Sequence, residues 1–357
     1  MVSMRDFRQA VRNLLLRSHF GRHVLVPAIQ SAYDRLPFVD WRAKRYAATE
    51  GRRLKKFLEG DNEDYTVVFD VTSFGGLCYT MGIARYILAK GRSCHFVFID
   101  RGIVPDFYES AAVIAEALLR GDKASLSCLS WRDFKSSLEN EDKDAVLVFD
   151  DYTRSNRSWY PAAFNLLNWL MADAGDEVQD MTLYRRVEFK RPDLVPKNQP
   201  YITWHCRYHP EIDEGRRASR EEFLHSYKLL VSRYPNHRIV IVSDLVGCDY
   251  YRNLAEKLDI EELIFSKNRN LPSSDFLTDV GLIMWSDFFY AYRAGGIGCF
   301  PQLSRMPYLM IQPVCEEVFW DRERLCSWQR ENQVYVKVAK HQFVKDRSTD
   351  LAYIPGA

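Results

Sequence analysis

Several familiar signatures are missing from these 357 residues. No run approaches the roughly 18 apolar residues that a membrane-spanning helix needs, and Leu14–Leu16 is too short and too closely flanked by arginine for a signal-peptide core. The eight cysteines are scattered and none forms a Cys-x-x-Cys pair. Close spacing is what metal and disulfide frameworks require, so reduced, mostly buried thiols in a cytosolic protein are expected. There is no Gly-x-Gly-x-x-Gly and no phosphate-loop lysine, which removes the common dinucleotide and ATP fingerprints. Neither an internal repeat nor a low-complexity tract is present.

What is there is an ordinary globular composition, 47% hydrophobic and 27% charged, with aromatics at 14%. That aromatic surplus suits large cores and also stacking on sugars or bases. The net charge of +1 is unevenly spread: residues 1–60 hold 13 Lys or Arg against 5 Asp or Glu. Within this basic arm Val11, Leu14, Leu15, Val24, Leu25 and Ile29 are interleaved with Arg8, Arg12, Arg17 and Arg22. The pattern fits an amphipathic segment on an anionic membrane surface, or a solvated helix packed on the domain behind it. A charge confined to one arm does not suit a nucleic-acid-binding surface.

From Tyr65 onward, short apolar runs alternate with helical stretches, which implies parallel strands covered on both faces. The expected strands of the first half are Tyr65–Val71, His95–Ile99, Ala124–Leu129 and Ala145–Phe149, within a half-domain of about five strands. Helices are expected over Leu77–Lys90, Asp106–Arg120, Trp131–Leu138 and Pro161–Ala172. A polar stretch between Asp173 and Pro200, with prolines 192, 196 and 200, reads as an interdomain linker. The second half then offers strands Tyr201–His205, Arg238–Ser243, Leu263–Phe265, Phe288–Tyr292 and Tyr308–Ile311. Its helices are expected over Arg220–Tyr234, Tyr250–Leu258 and Asp275–Trp285, with a further one over Glu316–Gln329 that could cross back to the first half. The expected plan is therefore α/β: a basic arm (1–64), two Rossmann-like domains (65–190 and 198–330) facing across a cleft, and a tail (331–357).

Ligands of open parallel sheets sit beyond the carboxyl ends of the strands, so strand-end residues carry the functional expectations. Thr72–Gly76 joins a strand to a helix; Gly75 and Gly76 would let backbone approach an acceptor or an anion, or simply make a tight turn. Trp204-His205-Cys206-Arg207 closes the first strand of the second half, with His205 and Arg207 on one face if the strand still holds there. Arg207 with Arg217 would suit a diphosphate leaving group, since guanidinium forms paired hydrogen bonds to phosphate and keeps its charge. Ser243 and Asp244 could hold a ribose or base, or cap a helix. Gly295 and Gly296, in Arg293-Ala294-Gly295-Gly296-Ile297-Gly298, again allow backbone contact with a donor. Asp70 and the adjacent pair Asp150-Asp151 are the acids at strand ends of the first half; Asp70 and Asp151 are the candidate general bases.

This pattern resembles the GT-B glycosyltransferases, which bind the acceptor in the first Rossmann-like domain and the nucleotide sugar in the second. Ser-Phe-Gly-Gly at 73–76 looks like the glycine-rich first loop of heptosyltransferase-like members. His205-x-Arg207 looks like the His-x-Arg of bacterial fucosyltransferase-like enzymes, although Tyr208-His209-Pro210 follows it here in place of further charged residues. Residues 201–312 are similar to glycosyltransferases of bacterial surface polysaccharides. The resemblance implies transfer of a sugar from a nucleotide diphosphate to a glycan or lipid-linked acceptor. It implies no cofactor and no metal, basic side chains and helix ends taking the place of a cation. Sugar-nucleotide epimerases, pyruvyl transferases and a non-catalytic nucleotide-sugar-binding subunit remain the alternatives.

Overall fold

The computed structural model describes residues 37–60, 64–69, 74–100, 107–119, 124–130, 133, 146–149, 159–174, 182–208, 218–268, 276–292, 295–314 and 329–339. Two parallel sheets organise them. The first contains β1 (Asp64–Phe69), β2 (Ser93–Asp100), β3 (Ala124–Ser130) and β4 (Val146–Phe149) in the order β3-β2-β1-β4. The second contains β5 (Tyr201–Cys206), β6 (Arg238–Val242), β7 (Leu263–Phe265), β8 (Phe289–Tyr292), β9 (Tyr308–Val314) and β10 (Gln333–Ala339), in the order β10-β9-β8-β5-β6-β7. Counted within its own half, that is the 3-2-1-4-5-6 order of a doubly wound nucleotide-binding sheet. Every strand pair is parallel.

The helices follow the same alternation: α1 (Pro37–Leu58), α2 (Phe74–Ala89), α3 (Phe107–Leu118), α4 (Trp159–Asp173), α5 (Arg220–Arg233), α6 (Leu245–Glu256), α7 (Phe276–Trp285) and the single turn α8 (Cys299–Gln302). In α2 the residues Leu77, Cys78, Tyr79, Met81, Ile83, Ala84, Tyr86 and Ile87 are all buried, so nearly every face of the helix is apolar and covered. A helix of that kind belongs between layers rather than on a surface. One cluster explains its burial: Val67, Phe69, Phe96 and Phe98 of the first sheet share a core with Val280, Met284, Cys299, Phe300 and Leu303 of the second half. The two halves are therefore fused through α2. Gly82 permits the contact, because a side chain there would begin 2.6 Å from Cδ1 of Leu303.

Four findings differ from the sequence expectations. The basic arm includes α1, whose Ala47, Leu54 and Leu58 join the first core, so residues 37–58 are part of the first half. Residues 1–36 lie outside the described residues. The expected linker is a seated strap: Leu183, Tyr184 and Phe189 are buried, and Arg186 donates to the carbonyls of Met284 and Ser286 at 2.9 Å each. The expected tail contains β10, where Val334 and Val336 are buried beside Tyr335, whose ring meets Phe164 of α4. Finally, α6 begins five residues earlier than expected. The expected helices at 131–138 and 316–329 fall almost wholly outside the described residues.

Candidate functional site

In the second sheet β5 and β8 are neighbours, with Cys206 opposite Tyr292, and the chain leaves them toward opposite edges. That reversal opens a crevice at their carboxyl ends. Trp204, stacked on Phe223 at 4.6 Å, and Cys206 are buried against the α5 side. His205 lies between them in sequence, so its side chain leaves the opposite face of the strand.

Beyond β8 the backbone turns at Gly296–Gly298 and runs straight into α8. A side chain on Gly296 would begin 2.3 Å from Cα of Gly75, closer than any real Cβ approaches backbone. Gly75 and Gly76 are not in a loop before their helix, as the sequence suggested, but in the first turn of α2. Two glycine segments, 221 residues apart in sequence, thus touch backbone to backbone where the halves meet. On Gly295 a side chain would begin 3.5 Å from Nε2 of His205. Gly75, Gly295, Gly296 and His205 consequently share one corner of the molecule. Gly76, the next residue of the same helical turn, is buried beside it.

The ring of His205 is neutral. Its Nδ1 lies 3.0 Å from the carbonyl oxygen of Val242. Burial lowers its pKa to about 4, with the charges of Arg207 and Lys267 acting in the same direction and the Val242 bond opposing them. Both cations therefore stand near the ring. Arg207 is exposed just past β5, and its carbonyl accepts a 2.8 Å hydrogen bond from the hydroxyl of Tyr251. Lys267, two residues past β7, was not anticipated from the sequence. Its ammonium lies 2.5 Å from the buried carboxylate of Asp279 in α7, and Arg252 donates to its carbonyl at 2.8 Å. A lone lysine after a three-residue strand gives no motif; its position just past a strand's carboxyl end was the signal that could have found it.

Ser243 and Asp244 each make a structural bond. The Ser243 hydroxyl is buried and donates to the carbonyl of Cys206 at 2.6 Å, tying the ends of β5 and β6 together. Asp244 is the N-cap of α6 and accepts from the amide of Gly247 at 2.6 Å. Of the two readings the sequence left open for them, a ribose or base contact and a structural cap, these bonds supply the structural one, satisfying the orphan groups of a strand end and a helix start.

A buried acid that carries no motif organises the other side. Glu222 of α5 is inaccessible; one oxygen accepts from the Ser219 amide at 2.7 Å and the other from the Tyr292 hydroxyl at 2.6 Å. With Ser219 accepting from the Glu222 amide, the first contact forms a capping box. The second anchors Tyr292, the last residue of β8, three residues ahead of Gly295. Ser226 and Tyr290 repeat the link one turn deeper, at 2.9 Å.

Asp70, Asp151 and Arg217 lie outside the described residues. A cavity of about 890 Å³ opens at the far end of α2, lined by Arg85, Leu118, Thr182, Glu188, Lys190 and Leu277 among others, and none of the glycine-site residues reaches it. Its inner cation is already engaged, since Arg85 pairs with Glu188 at 2.9 Å and donates to the carbonyl of Leu118.

The fold is the GT-B type: two Rossmann-like halves joined at a seam. In particular, it is similar to that of the heptosyltransferase WaaC of E. coli, solved with ADP, at a TM-score of 0.51 and 10% identity; 81% of this chain and 98% of that one are covered. A family 9 glycosyl transferase from Veillonella parvula matches at 0.48 and 7% identity, over 82% and 90% of the two chains. The UDP-GlcNAc 2-epimerase of Neisseria meningitidis, bound to UDP-GlcNAc, matches at 0.41 and 12%, over 81% and 92%. At such identities the likeness to WaaC speaks for the fold alone, and the two weaker matches carry no argument. No family model matches the sequence, and no curated protein is similar to it.

Proposed function

We propose that this protein is a glycosyltransferase that moves a sugar from a nucleotide diphosphate donor to a glycan or lipid-linked acceptor, without a metal, in surface polysaccharide synthesis. One observation carries the reading: the first turn of α2 and the Gly295–Gly298 turn touch at the mouth of the β5–β8 crevice, with His205, Arg207 and Lys267 around them. The amides of a helix's first turn have no intrahelical partner and favour an anion. A diphosphate held there would meet amides from the first half and the Arg207 cation from the second, so its growing charge on departure is stabilised without a bound ion. This shifts Gly75 and Gly76 from an acceptor role toward the donor phosphates. Arg207, exposed and permanently charged, is the residue suited to the terminal phosphate. Asp70 and Asp151, next in sequence after β1 and close after β4, remain the candidate bases for the acceptor hydroxyl.

The reading is tested by a thermal-shift screen with ADP-, GDP-, UDP-, CMP- and TDP-sugars, since selective binding raises the melting temperature. Activity on the hit is then followed in excess chelator. The chain also holds a spaced acidic pair, Asp142-Lys143-Asp144, ahead of β4; loss of activity in EDTA with rescue by manganese would refute metal independence. Arg207→Ala is expected to lower turnover about 100-fold or more with an unchanged melting temperature. Product analysis separates transfer from epimerisation, and binding without transfer or donor hydrolysis would leave only a sensor.

The place of work we infer is an anionic membrane surface at the cytosolic side. Arg45, Arg52 and Lys56 are exposed along α1, at helical spacings of seven and four, while its other face is packed in the core. Each such cation adds about 1 kcal/mol at an anionic surface. Among the described residues no helix is long and apolar enough to cross a membrane. Co-sedimentation with phosphatidylglycerol vesicles but not phosphatidylcholine vesicles, lost in Arg45→Gln/Arg52→Gln/Lys56→Gln, is the expected result; equal sedimentation with both lipids would end the inference.

A further inference from the structure

His205 stands at the phosphate end of the crevice and yet has no charge to offer a phosphate. A carbonyl oxygen only accepts, so the 3.0 Å contact with Val242 requires the ring proton to sit on Nδ1. Nε2 then has a lone pair and no hydrogen, and this is the nitrogen that lies beside Gly295. A phosphate oxygen placed against it would bring two acceptors together with no proton between them. Nor is a second proton easily gained. The ring is partly buried, and the charged groups that act on it, Arg207 from the strand end and Lys267 from beyond β7, are both cations. The partner that fits Nε2 is a hydrogen-bond donor, and next to a diphosphate the donors that a nucleotide sugar offers are its hydroxyls.

We propose that Nε2 of His205 accepts a hydrogen bond from a sugar hydroxyl of the bound ligand, which makes His205 a specificity-determining residue that separates hydroxyl-bearing from deoxy ligands. The proposal rests on the nucleotide-sugar reading of the site. The hydroxyl has two sources, the ribose of the nucleotide and the sugar to be transferred, and binding measurements distinguish them.

The test uses calorimetry on the full chain and on His205→Asn, whose amide nitrogen replaces Nδ1 toward Val242 and puts nothing in the place of Nε2. The probes are inorganic pyrophosphate, the ribonucleoside diphosphates, their 2′- and 3′-deoxy counterparts, and the nucleotide sugar found by the screen. The native chain is expected to bind its hydroxyl-bearing ligand about tenfold more tightly than the deoxy form, the scale of one good hydrogen bond. In the variant that gap closes, while pyrophosphate and the deoxy ligand bind as before. A gap already present between a ribonucleoside diphosphate and its deoxy form assigns the ribose. A gap seen only as the tighter binding of the nucleotide sugar over the nucleoside diphosphate assigns the transferred sugar. The proposal is overturned if His205→Asn weakens pyrophosphate as much as the other ligands, or changes none of them. Nitrogen-15 NMR of the native imidazole gives a ligand-independent check: a proton on Nε2 refutes the acceptor role. If no nucleotide binds the native chain, the nucleotide-sugar reading itself falls, whatever the tautomer.

Discussion

The helices that begin around the crevice start in two different ways. In the second half, α5 is closed by the Ser219–Glu222 capping box and α6 by Asp244, so each brings a carboxylate to its own first turn. In the first half, α2 starts on Phe74-Gly75-Gly76-Leu77 with no acidic side chain in that turn. A helix start attracts anions through its unpaired amides and its dipole, and a resident carboxylate satisfies both. The capped starts are therefore finished structure. The start of α2 has no such carboxylate in its first turn, which leaves the helix dipole for an anion from outside, and it is the start that touches the Gly295–Gly298 turn.

The contrast is broken most severely at the seam. Gly296→Ala needs no unusual backbone angle, but its methyl carbon would fall 2.3 Å from Cα of Gly75, and backbone cannot rotate away as a side chain can. Overpacking of this kind costs about 1–3 kcal/mol. The glycine segments must separate, and nucleotide-diphosphate affinity is expected to fall about 100-fold because the amides no longer converge. Calorimetry beside a denaturant titration reads both effects; full affinity in a folded Gly296→Ala would dissolve the composite site.

Next in size is Glu222→Ala. It strands the Tyr292 hydroxyl and the Ser219 amide, both otherwise bonded to the buried carboxylate. A buried polar group left without its partner costs about 1–3 kcal/mol; Ser219 is exposed and its amide turns to water, so a loss within that range, set by Tyr292, is expected in urea unfolding. Turnover should fall as well, because Tyr292 leads into the glycine turn. Glu222→Gln, which keeps one carbonyl acceptor, is expected to recover part of the stability. A variant as stable as the native chain would leave the anchor without a role.

Much of this was legible in the sequence. Alternating apolar runs announced both parallel sheets, since strands buried on two faces read as continuous Val, Ile and Phe. The glycine pairs at 75–76 and 295–296 and the strand-end His205-Cys206-Arg207 were visible as residues whose properties suit a ligand. Their mutual contact was not, because nothing local ties position 75 to position 296. Ser243 and Asp244 stayed open to two readings for a physical reason: oxygens that could hold a ribose can also close a strand end and a helix start, as they do here. Glu222 and Lys267 escaped notice because an isolated acid in a helix and a lone lysine after a short strand are ordinary until their buried partners, Tyr292 and Asp279, are seen.

A smaller effect follows from His205, whose folded pKa of about 4 lies below the ordinary value of 6.5. Between those limits the unfolded chain takes up a proton that the folded one refuses, so this group makes stability rise with pH across that window. The contribution is present above about pH 6.5 and is lost as pH falls toward 4. His205→Asn should flatten the stability profile between pH 4 and 6.5. An unchanged slope would place the proton-sensitive group elsewhere and return the ring to an ordinary solvated histidine.

The smallest change bears directly on what a strand-end acid is for. Asp244→Ala removes the cap of α6 and leaves the Gly247 amide without its 2.6 Å partner. Loss of such a cap costs about 0.5–2 kcal/mol, typically near 1. Asp244 is exposed, so water takes up the freed amide and keeps the cost toward the lower end. If the role is structural, the melting temperature falls slightly while nucleotide affinity stays within about twofold, less than half of the 1.4 kcal/mol that a tenfold change represents. If Asp244 instead holds a ribose, affinity falls about tenfold or more and the deoxy ligands are spared. A loss confined to hydroxyl-bearing ligands in Asp244→Ala, with His205→Asn silent, would transfer the reading of the hydroxyl from β5 to the start of α6. It would also erase the distinction between helix starts with and without a resident carboxylate on which the site is built.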